Sequence, residues 1–380
     1  MSQKAIKKDP SDTLSFDVLF RTKNQKKRFS PFHLVAFCTL MLMMLSCLFQ
    51  YSASSHLHSQ HFTNHLMRIF AFIITAVFFS RVPKKWLKHH SVIYYLGGIV
   101  LLVLVHFKGL TIKGATRWLA VGPIRIEPSE LIKIVCPLYL AYCLSYFRLP
   151  LSLTHFFLCA NIVLLPFLLI AKQPDLGTAL IVLSIGLIQI FMSGLSYRSI
   201  GVLLFSFILS LPLLWNMLHT YQQHRILTLL NPSTDLMGAG YHIMQSKIAI
   251  GSGGFWGKGL FASTQVSYHF LPEFHTDFIF ALISEETGLV GASMTLILLC
   301  TLSVSILLMA LTAQSIFEKL MLSAIGFYFF ICGCINTAMV CGILPVVGVP
   351  LPFLSYGGSN LMVCGVALGL VWNFYRVKYD

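Results

Sequence analysis

Apolar runs long enough to cross a bilayer recur along most of this chain, and they leave it few ways to fold. Inside hydrocarbon every backbone N–H and C=O must find a partner within the protein, so spanning segments are helices or closed barrels. A helical span takes about 20 residues. Such runs fall at 33–53, 66–82, 92–107, 129–146, 153–171, 176–195, 200–218, 278–311, 319–343 and 359–373. The expected fold is therefore all-α: a polytopic integral membrane protein of about ten transmembrane helices. The run at 278–311 is too long for one simple span, and Gly288 and Gly291 are expected to break or tilt it. Only 11% of residues are charged, about half the fraction of a soluble domain.

Basic residues set the expected orientation. Lys4, Lys7, Lys8, Arg21, Lys23, Lys26, Lys27 and Arg28 crowd the first 30 residues, and Arg81, Lys84, Lys85 and Lys88 follow the second run. Both groups fall on one side if the first two helices form a hairpin. The tail 1–30, the even-numbered loops and residues 376–380 are thus expected in the cytoplasm, around a membrane domain spanning 31–375. The first apolar run is long enough to span, so no cleavable leader is expected. A net charge of +14 reflects this bias. It does not imply nucleic acid, because no soluble basic domain is there to hold it. The ten cysteines lie inside apolar segments and read as small buried hydrophobes.

The opposite side should be poor in Lys and Arg, and it is not. Lys108, Lys113, Arg117 and Arg125 follow the third run, Lys172 the fifth, and Arg225, Lys247 and Lys258 lie between the seventh and eighth. Glu127, Asp175, Asp235, Glu273 and Asp277 share that side. Glu130 and Lys133, three apart just inside the fourth helix, can pair on one face. Each of these groups can be a structural ion pair that pins a loop. As a set, guanidinium, ammonium and carboxylate at one membrane face suit an anionic substrate and a proton acceptor. Asp277 stands out in the run from Leu271 to Phe280, at the water-facing mouth of a span where a carboxylate is costly to desolvate.

Residues 219–276 form the longest stretch without a span, expected as a long extracytoplasmic loop lying along or dipping into the membrane surface. Its run from Gly251 to Gly259 is no phosphate loop, because Gly259 follows Lys258 where Ser or Thr is needed. Nor does a strand precede it, as a dinucleotide fold requires. Flexible turns remain, with Lys258 free to meet a phosphate. From Leu344 to Asn360, Pro345, Pro350 and Pro352 forbid a continuous helix. Ser359 is expected to cap the last helix. Non-helical backbone at this depth must be buried or line a wet cavity, so the segment is either a wall of the site or a structural re-entrant turn.

These blocks together resemble the SEDS family of bacterial shape, elongation, division and sporulation proteins, over about residues 30–375. The resemblance rests on Arg117-Trp118, on Glu127-Pro128-Ser129-Glu130 with Lys133, and on Lys172 to Thr178. It rests most on Pro272-Glu273-x-His275-Thr276-Asp277-Phe278 with Glu285-Glu286-x-Gly288, and closes with Asn336 and Pro345 to Ser359. The run from Ala249 to Gly259, then Thr264-Gln265 and Phe270 to Glu273, is similar to the elongation members rather than the division members. Ser263, Phe274 and Val347 depart from the frequent Gly, Arg and Thr.

The resemblance implies a peptidoglycan glycosyltransferase that joins lipid II units at the outer face of the cytoplasmic membrane, beside a class B penicillin-binding protein in an elongation or division complex. Asp277 matches the family position thought to be catalytic and is the candidate general base. Its alternative is a cap on the eighth helix. Arg117, Lys133, Arg225 and Lys258 are candidates for the diphosphate or its charge network, with Glu130 and Asp175 among them. His275 can relay a proton or bond the loop, and Glu273 can orient a loop or a cation. Glu285 lies too deep for the reacting hydroxyl and is expected to pair with a neighbouring helix. No cofactor is required by the sequence. A divalent cation, magnesium or manganese, can share the phosphate duty, though no dedicated metal cage is visible. Two rivals stand beside the enzyme: a lipid II flippase, which broken helices and intramembrane charges also fit, and a non-catalytic scaffold for the penicillin-binding protein.

Overall fold

The computed structural model describes residues 13–14, 31–55, 60–112, 115–122, 124–147, 151–196, 220–231, 235 and 238–376, with isolated positions between 201 and 216. Its helices are α1 (Pro31–Ser54), α2 (Gln60–Arg81), α3 (Lys84–His89), α4 (Ser91–Lys108), α5 (Pro128–Leu144), α6 (Leu153–Lys172) and α7 (Leu176–Met192). After these come α8 (Thr220–Leu230), α9 (Ala239–Gly253), α10 (Thr264–Ser267), α11 (Ile279–Thr312), α12 (Ile316–Val340) and α13 (Gly358–Arg376). Among the described residues seven are long and apolar enough to cross a membrane: α1, α2, α4, α6, α11, α12 and α13. The shorter α7 is also apolar. The predicted span at 200–218 falls largely outside the described residues.

Two ends of the bundle can be told apart. At one, Phe32 near the start of α1 stacks on Tyr375 near the end of α13, ring centroids 4.6 Å apart. Lys84 of α3 pairs there with Glu318 in the first turn of α12 at 2.8 Å. The described chain thus enters and leaves its membrane helices at the same end. At the other end Ser46 and Gln50 of α1 donate to the carbonyls of Phe353 and Leu354, at 2.8 and 2.9 Å. All the irregular backbone between α12 and α13 gathers here.

Two segments depart from the expected pattern. Residues 110–126, expected as a loop in an all-α chain, form an antiparallel meander of β1 (Leu110–Ile112), β2 (Ala115–Val121) and β3 (Ile124–Ile126). Its β-branched and aromatic residues suit a pleated surface, but runs of three to seven residues are too short to show a period. The stretch 219–276 is not a simple loop either, since it carries α8, α9 and α10. Helix α9 packs against α11 and α12, and Ser246 donates to the Val340 carbonyl at 2.8 Å. One face of α9, with Ile243, Ser246 and Ala249, is buried inside the protein, while Phe255 and Trp256 between the following glycines are exposed.

Gly288 breaks α11 as expected, at φ 64 and ψ −160, while Gly291 stays in regular helix. The break strips backbone groups of helical partners, and the glycine run supplies new ones. Lys258 N and Gly259 N donate to the carbonyls of Glu285 and Glu286, each at 3.0 Å. Leu289 N and Val290 N donate to Gly254 and Phe255 at 2.9 and 3.3 Å. Buried Glu285 pairs with Lys258 at 2.6 Å and accepts from Ser263 Oγ at 2.5 Å and Thr264 N at 3.0 Å. The expectation of a free Lys258 is therefore corrected, because a fully buried carboxylate demands a cation. Glu285 pairs, but with this loop instead of a neighbouring helix.

A Cβ at position 288 would stand 2.4 Å from Gly257 N and 2.6 Å from the Phe255 carbonyl. The backbone there is of a kind that only glycine adopts cheaply, and such strain costs on the order of 1–3 kcal/mol before any clash. Gly288→Ala is thus expected to lower the thermal unfolding temperature in detergent.

Candidate active site

The site is built on a tight turn. Glu273 sits at φ +62, and its carbonyl accepts from Thr276 N at 3.1 Å and Phe278 N at 3.3 Å. Its carboxylate turns back to accept from the Thr276 hydroxyl at 3.0 Å. Leu271, Phe274 and Phe278 are buried and root the turn in the core. Phe274, where the family frequently has a charge, is thus an apolar anchor.

Three successive carbonyls of this turn are held by four donors. His275 O accepts from Gln50 of α1 at 3.0 Å and from Tyr356 N at 2.9 Å. Thr276 O accepts from Ser355 Oγ at 2.6 Å. Asp277 O accepts from Asn336 of α12 at 2.9 Å, and the same amide reaches Val349 O at 2.7 Å. Gln50, Asn336 and Ser355 are fully buried, so these bonds are shielded from water. The N-cap position of α11 falls to Phe278, with no side-chain cap. Asp277 stands one residue before that position, half-exposed at the mouth of the bundle.

The segment 345–350 faces that side chain. Gly348, at φ +70, has Asp277 Oδ2 3.5 Å from where its Cβ would lie. Arg225 of α8 donates from Nη1 to Val346 O at 2.9 Å. Gly177, in the first turn of α7, packs on Val347 and Val349 with no room for a side chain. One proline-rich wall therefore contacts Asp277, Arg225 and the start of α7.

The remaining charges gather behind that wall. Arg117 of β2 donates to the Pro174 carbonyl and lies 3.6 Å from Asp175. Asp175 caps α7, accepting from Thr178 N at 3.3 Å. Lys133 and Glu130 pair at 2.5 Å, both buried, as their spacing suggested. Ser359, expected as a helix cap, lies inside the first turn of α13, and its hydroxyl accepts from Glu127 N at 3.2 Å. Burial, then the carboxyls of Glu130 and Asp175, push the Glu127 carboxyl up to about 8, against the pull of Lys133 and Arg117.

The turn and its wall thus bring together Asp277, Glu273, His275 and Arg225, with Arg117, Asp175, Glu130 and Lys133 as a second group behind. Lys258 belongs to the α11 break. Lys172, Arg125 and Lys247 are exposed, and Lys113 lies outside the described residues. Among the described residues no group of three His, Cys, Asp or Glu side chains is placed to hold a metal ion. The carboxylates of Asp175, Glu130 and Glu285 already face Arg117, Lys133 and Lys258. Those three carboxylates are therefore taken up by the protein's own cations. Sequence reasoning passed over Gln50 and Ser355, which act through backbone carbonyls far away in the chain. An uncharged amide alone in an apolar run was the available signal for Gln50.

Two predictions follow from the buried charges. Lys133→Met should lower stability by about 3–5 kcal/mol by stranding Glu130, and adding Glu130→Gln should recover much of it in unfolding measurements. For Glu127 the folded state holds the proton more tightly than the unfolded chain does. Its ionisation therefore costs stability as pH rises from the ordinary carboxylate range, and the cost is full above about 8. Glu127→Gln should unfold at a higher temperature than the parent at pH 8–9, with the gap closing toward pH 4.

The family model for FtsW, RodA and SpoVE, described as "Cell cycle protein", matches residues 31–379. Peptidoglycan glycosyltransferase MrdB of Escherichia coli (strain K12) is 44% identical over 304 residues, covering 80% of this chain and 82% of that protein. A chain solved in work on "structural coordination of polymerization and crosslinking by a peptidoglycan synthase complex" superposes with a TM-score of 0.79 at 28% identity, covering 91% of this chain and 98% of that one. The crystal structure of Thermus thermophilus rod shape determining protein RodA gives 0.69 at 26% identity, with 91% and 97% covered. The motifs, the helical membrane fold and the match across nearly all of its length agree: this chain belongs to the SEDS family, the FtsW/RodA/SpoVE cell cycle proteins, and within it is RodA-like.

Proposed function

We propose that this protein is a peptidoglycan glycosyltransferase that polymerises lipid II into glycan strands. The observation that carries the reading is the triple clamp on the carbonyls of His275, Thr276 and Asp277, which fixes a half-exposed carboxylate at a membrane face. A base must be held in place to work, and a positioned one contributes about 10²–10⁴-fold. A scaffold would need no such fixing.

In the reaction an acceptor sugar hydroxyl gives its proton to the Asp277 carboxylate. Its oxygen bonds to the anomeric carbon of the donor as the bond from that carbon to the diphosphate oxygen breaks. The electron pair leaves with the polyprenyl diphosphate, and inversion of an α-linked donor yields a β linkage. Arg225, whose guanidinium holds the Val346 carbonyl of the wall that Asp277 also faces, is the candidate to meet the departing charge. Arg offers a planar fork to phosphate oxygens where Lys offers a point charge. Arg117, Asp175, Glu130 and Lys133 form a background network that holds α5, α7 and the meander in register. Glu273 braces the turn through Thr276, and His275 lines it.

The MrdB and RodA relatives, and the synthase complex that coordinates polymerisation with crosslinking, support the same reading. They also support an elongation role, a class B penicillin-binding protein as partner, and residence in the cytoplasmic membrane. The basic tail favours both termini in the cytoplasm, with the Asp277 face outward.

Purified protein with its partner, given labelled lipid II, should make polymer visible on a gel. Asp277→Asn should reduce it by about 10²–10⁴-fold while leaving the unfolding temperature close to that of the parent. Polymer undiminished in that variant would refute the assignment. Transbilayer movement of lipid II without polymer would favour the flippase.

A further inference from the structure

A cluster around Arg68, beside the catalytic turn, is not used by this mechanism. Arg68 lies eight residues into α2, about 12 Å below its first residue, in a segment of spanning length. His61, His65 and Arg68 recur at helical spacing along one face of α2. Ionisable groups at such depth are rare and tend to mark function. The Arg68 guanidinium stacks on Tyr356, its Cζ 3.6 Å from the ring centroid, and His61 stacks on the same ring at 4.0 Å.

That stacking does not satisfy the arginine. Its Nη1 is buried with no hydrogen-bond partner, and no carboxylate among the described residues forms an ion pair with it. A ring face offsets only part of what it costs to desolvate a guanidinium. A second donor nearby is in the same condition. Asn360, in the first turn of α13, is 4% exposed, and its Nδ2 has no acceptor. Gly357 and Gly358 join the two groups. The Cβ position of Gly358 is 3.7 Å from Arg68 Nε, and that of Gly357 is 3.5 Å from Asn360 Cβ. Both glycines are half-exposed, and Gly358 opens a 19-residue helix whose N-terminus favours an anion. A cation, an amide donor and a helix N-terminus thus lie around Gly357 and Gly358, and no carboxylate among the described residues forms an ion pair with that cation.

The cluster is tied to the reaction through Tyr356. Its ring carries Arg68, and its backbone N–H holds the His275 carbonyl. Arg225 approaches the same turn from the opposite side, through Val346. Transfer between two lipid-linked saccharides brings two diphosphates to one base. Resting on the function proposed above, we infer that Arg68, Asn360 and the N-terminus of α13 bind the second lipid-linked diphosphate. The Arg225 side serves the first.

The test is binding of radiolabelled polyprenyl diphosphate to the purified full-length protein in detergent, counted per chain. The parent should hold two equivalents and Arg68→Gln one, while Arg68→Lys and Asp277→Asn keep two. In the polymerisation assay Arg68→Gln should raise KM for the lipid-linked disaccharide by about tenfold or more, with a smaller change in kcat. Should Arg68→Gln fail to fold, Asn360→Asp places a carboxylate beside Arg68 and should weaken the second equivalent by about tenfold. Two equivalents bound with unchanged affinity in the folded variants would overturn the inference. So would displacement of the second equivalent by phosphatidylglycerol mole for mole, which would make the cluster a general phospholipid site. A parent that binds two equivalents yet makes no polymer would count against the proposed enzyme and leave the diphosphate site standing.

Discussion

A carbonyl that leaves a helix within a bilayer must still find a donor, and it must find it inside the protein. The organisation of this molecule follows from that demand. The break at Gly288 releases carbonyls and N–H groups that the glycine run 253–259 takes up. The turn before α11 releases three carbonyls that Gln50, Ser355 and Asn336 take up. At the break one irregular segment is satisfied by another, and at the turn Ser355 shares the task with side chains of α1 and α12. A site assembled from such pieces is rigid without being helical.

The same economy governs charge. Three buried carboxylates are paired, Glu130 with Lys133, Asp175 with Arg117 and Glu285 with Lys258, while buried Glu286 accepts instead from Ser52 Oγ and Phe261 N. The Asp175–Arg117 and Glu285–Lys258 pairs join separate segments, and removing one partner of a buried pair strands the other at a cost of several kcal/mol. Asp277 differs in kind. Its backbone is held as tightly as theirs, while its side chain stays half-exposed beside a glycine. Tight main chain and accessible carboxylate together are what a base requires, because the proton it takes comes from a substrate that must be able to reach it.

Much of this was legible in the sequence. Apolar length alone located α1, α2, α4, α6, α11, α12 and α13, since bilayer thickness imposes a length that no soluble fold shares. Spacing of three anticipated the Glu130–Lys133 pair, and the overlong run at 278–311 anticipated the break at Gly288. The meander at 110–126 was not legible, because its strands are too short to show alternation. Nor was the interior of 219–276, where Ile243, Ala249 and Val266 are buried in the protein while Met244, Ile248, Phe255 and Trp256 are exposed; composition does not distinguish the two. The clamps were hidden for another reason. Gln50 to Leu354 spans 304 positions, and a side chain bonded to a carbonyl leaves no mark on the carbonyl's own residue type.

The stretch from Pro345 to Asn360 then has a use that a simple re-entrant turn would not. It is the partner that both sides of the catalytic turn require. Its first half presents Val346 to Arg225 and Gly348 to Asp277. Its second half presents Ser355 and the Tyr356 N–H to the turn itself, and the Tyr356 ring to Arg68. Prolines stop this stretch from coiling into a helix, which would consume its own donors and acceptors. Glycines at 348, 357 and 358 keep its surface open where a ligand must approach. A helix here would offer side chains alone. An extended wall offers backbone to the catalytic turn and cationic side chains beyond it, and so can set one carboxylate between two anionic lipids.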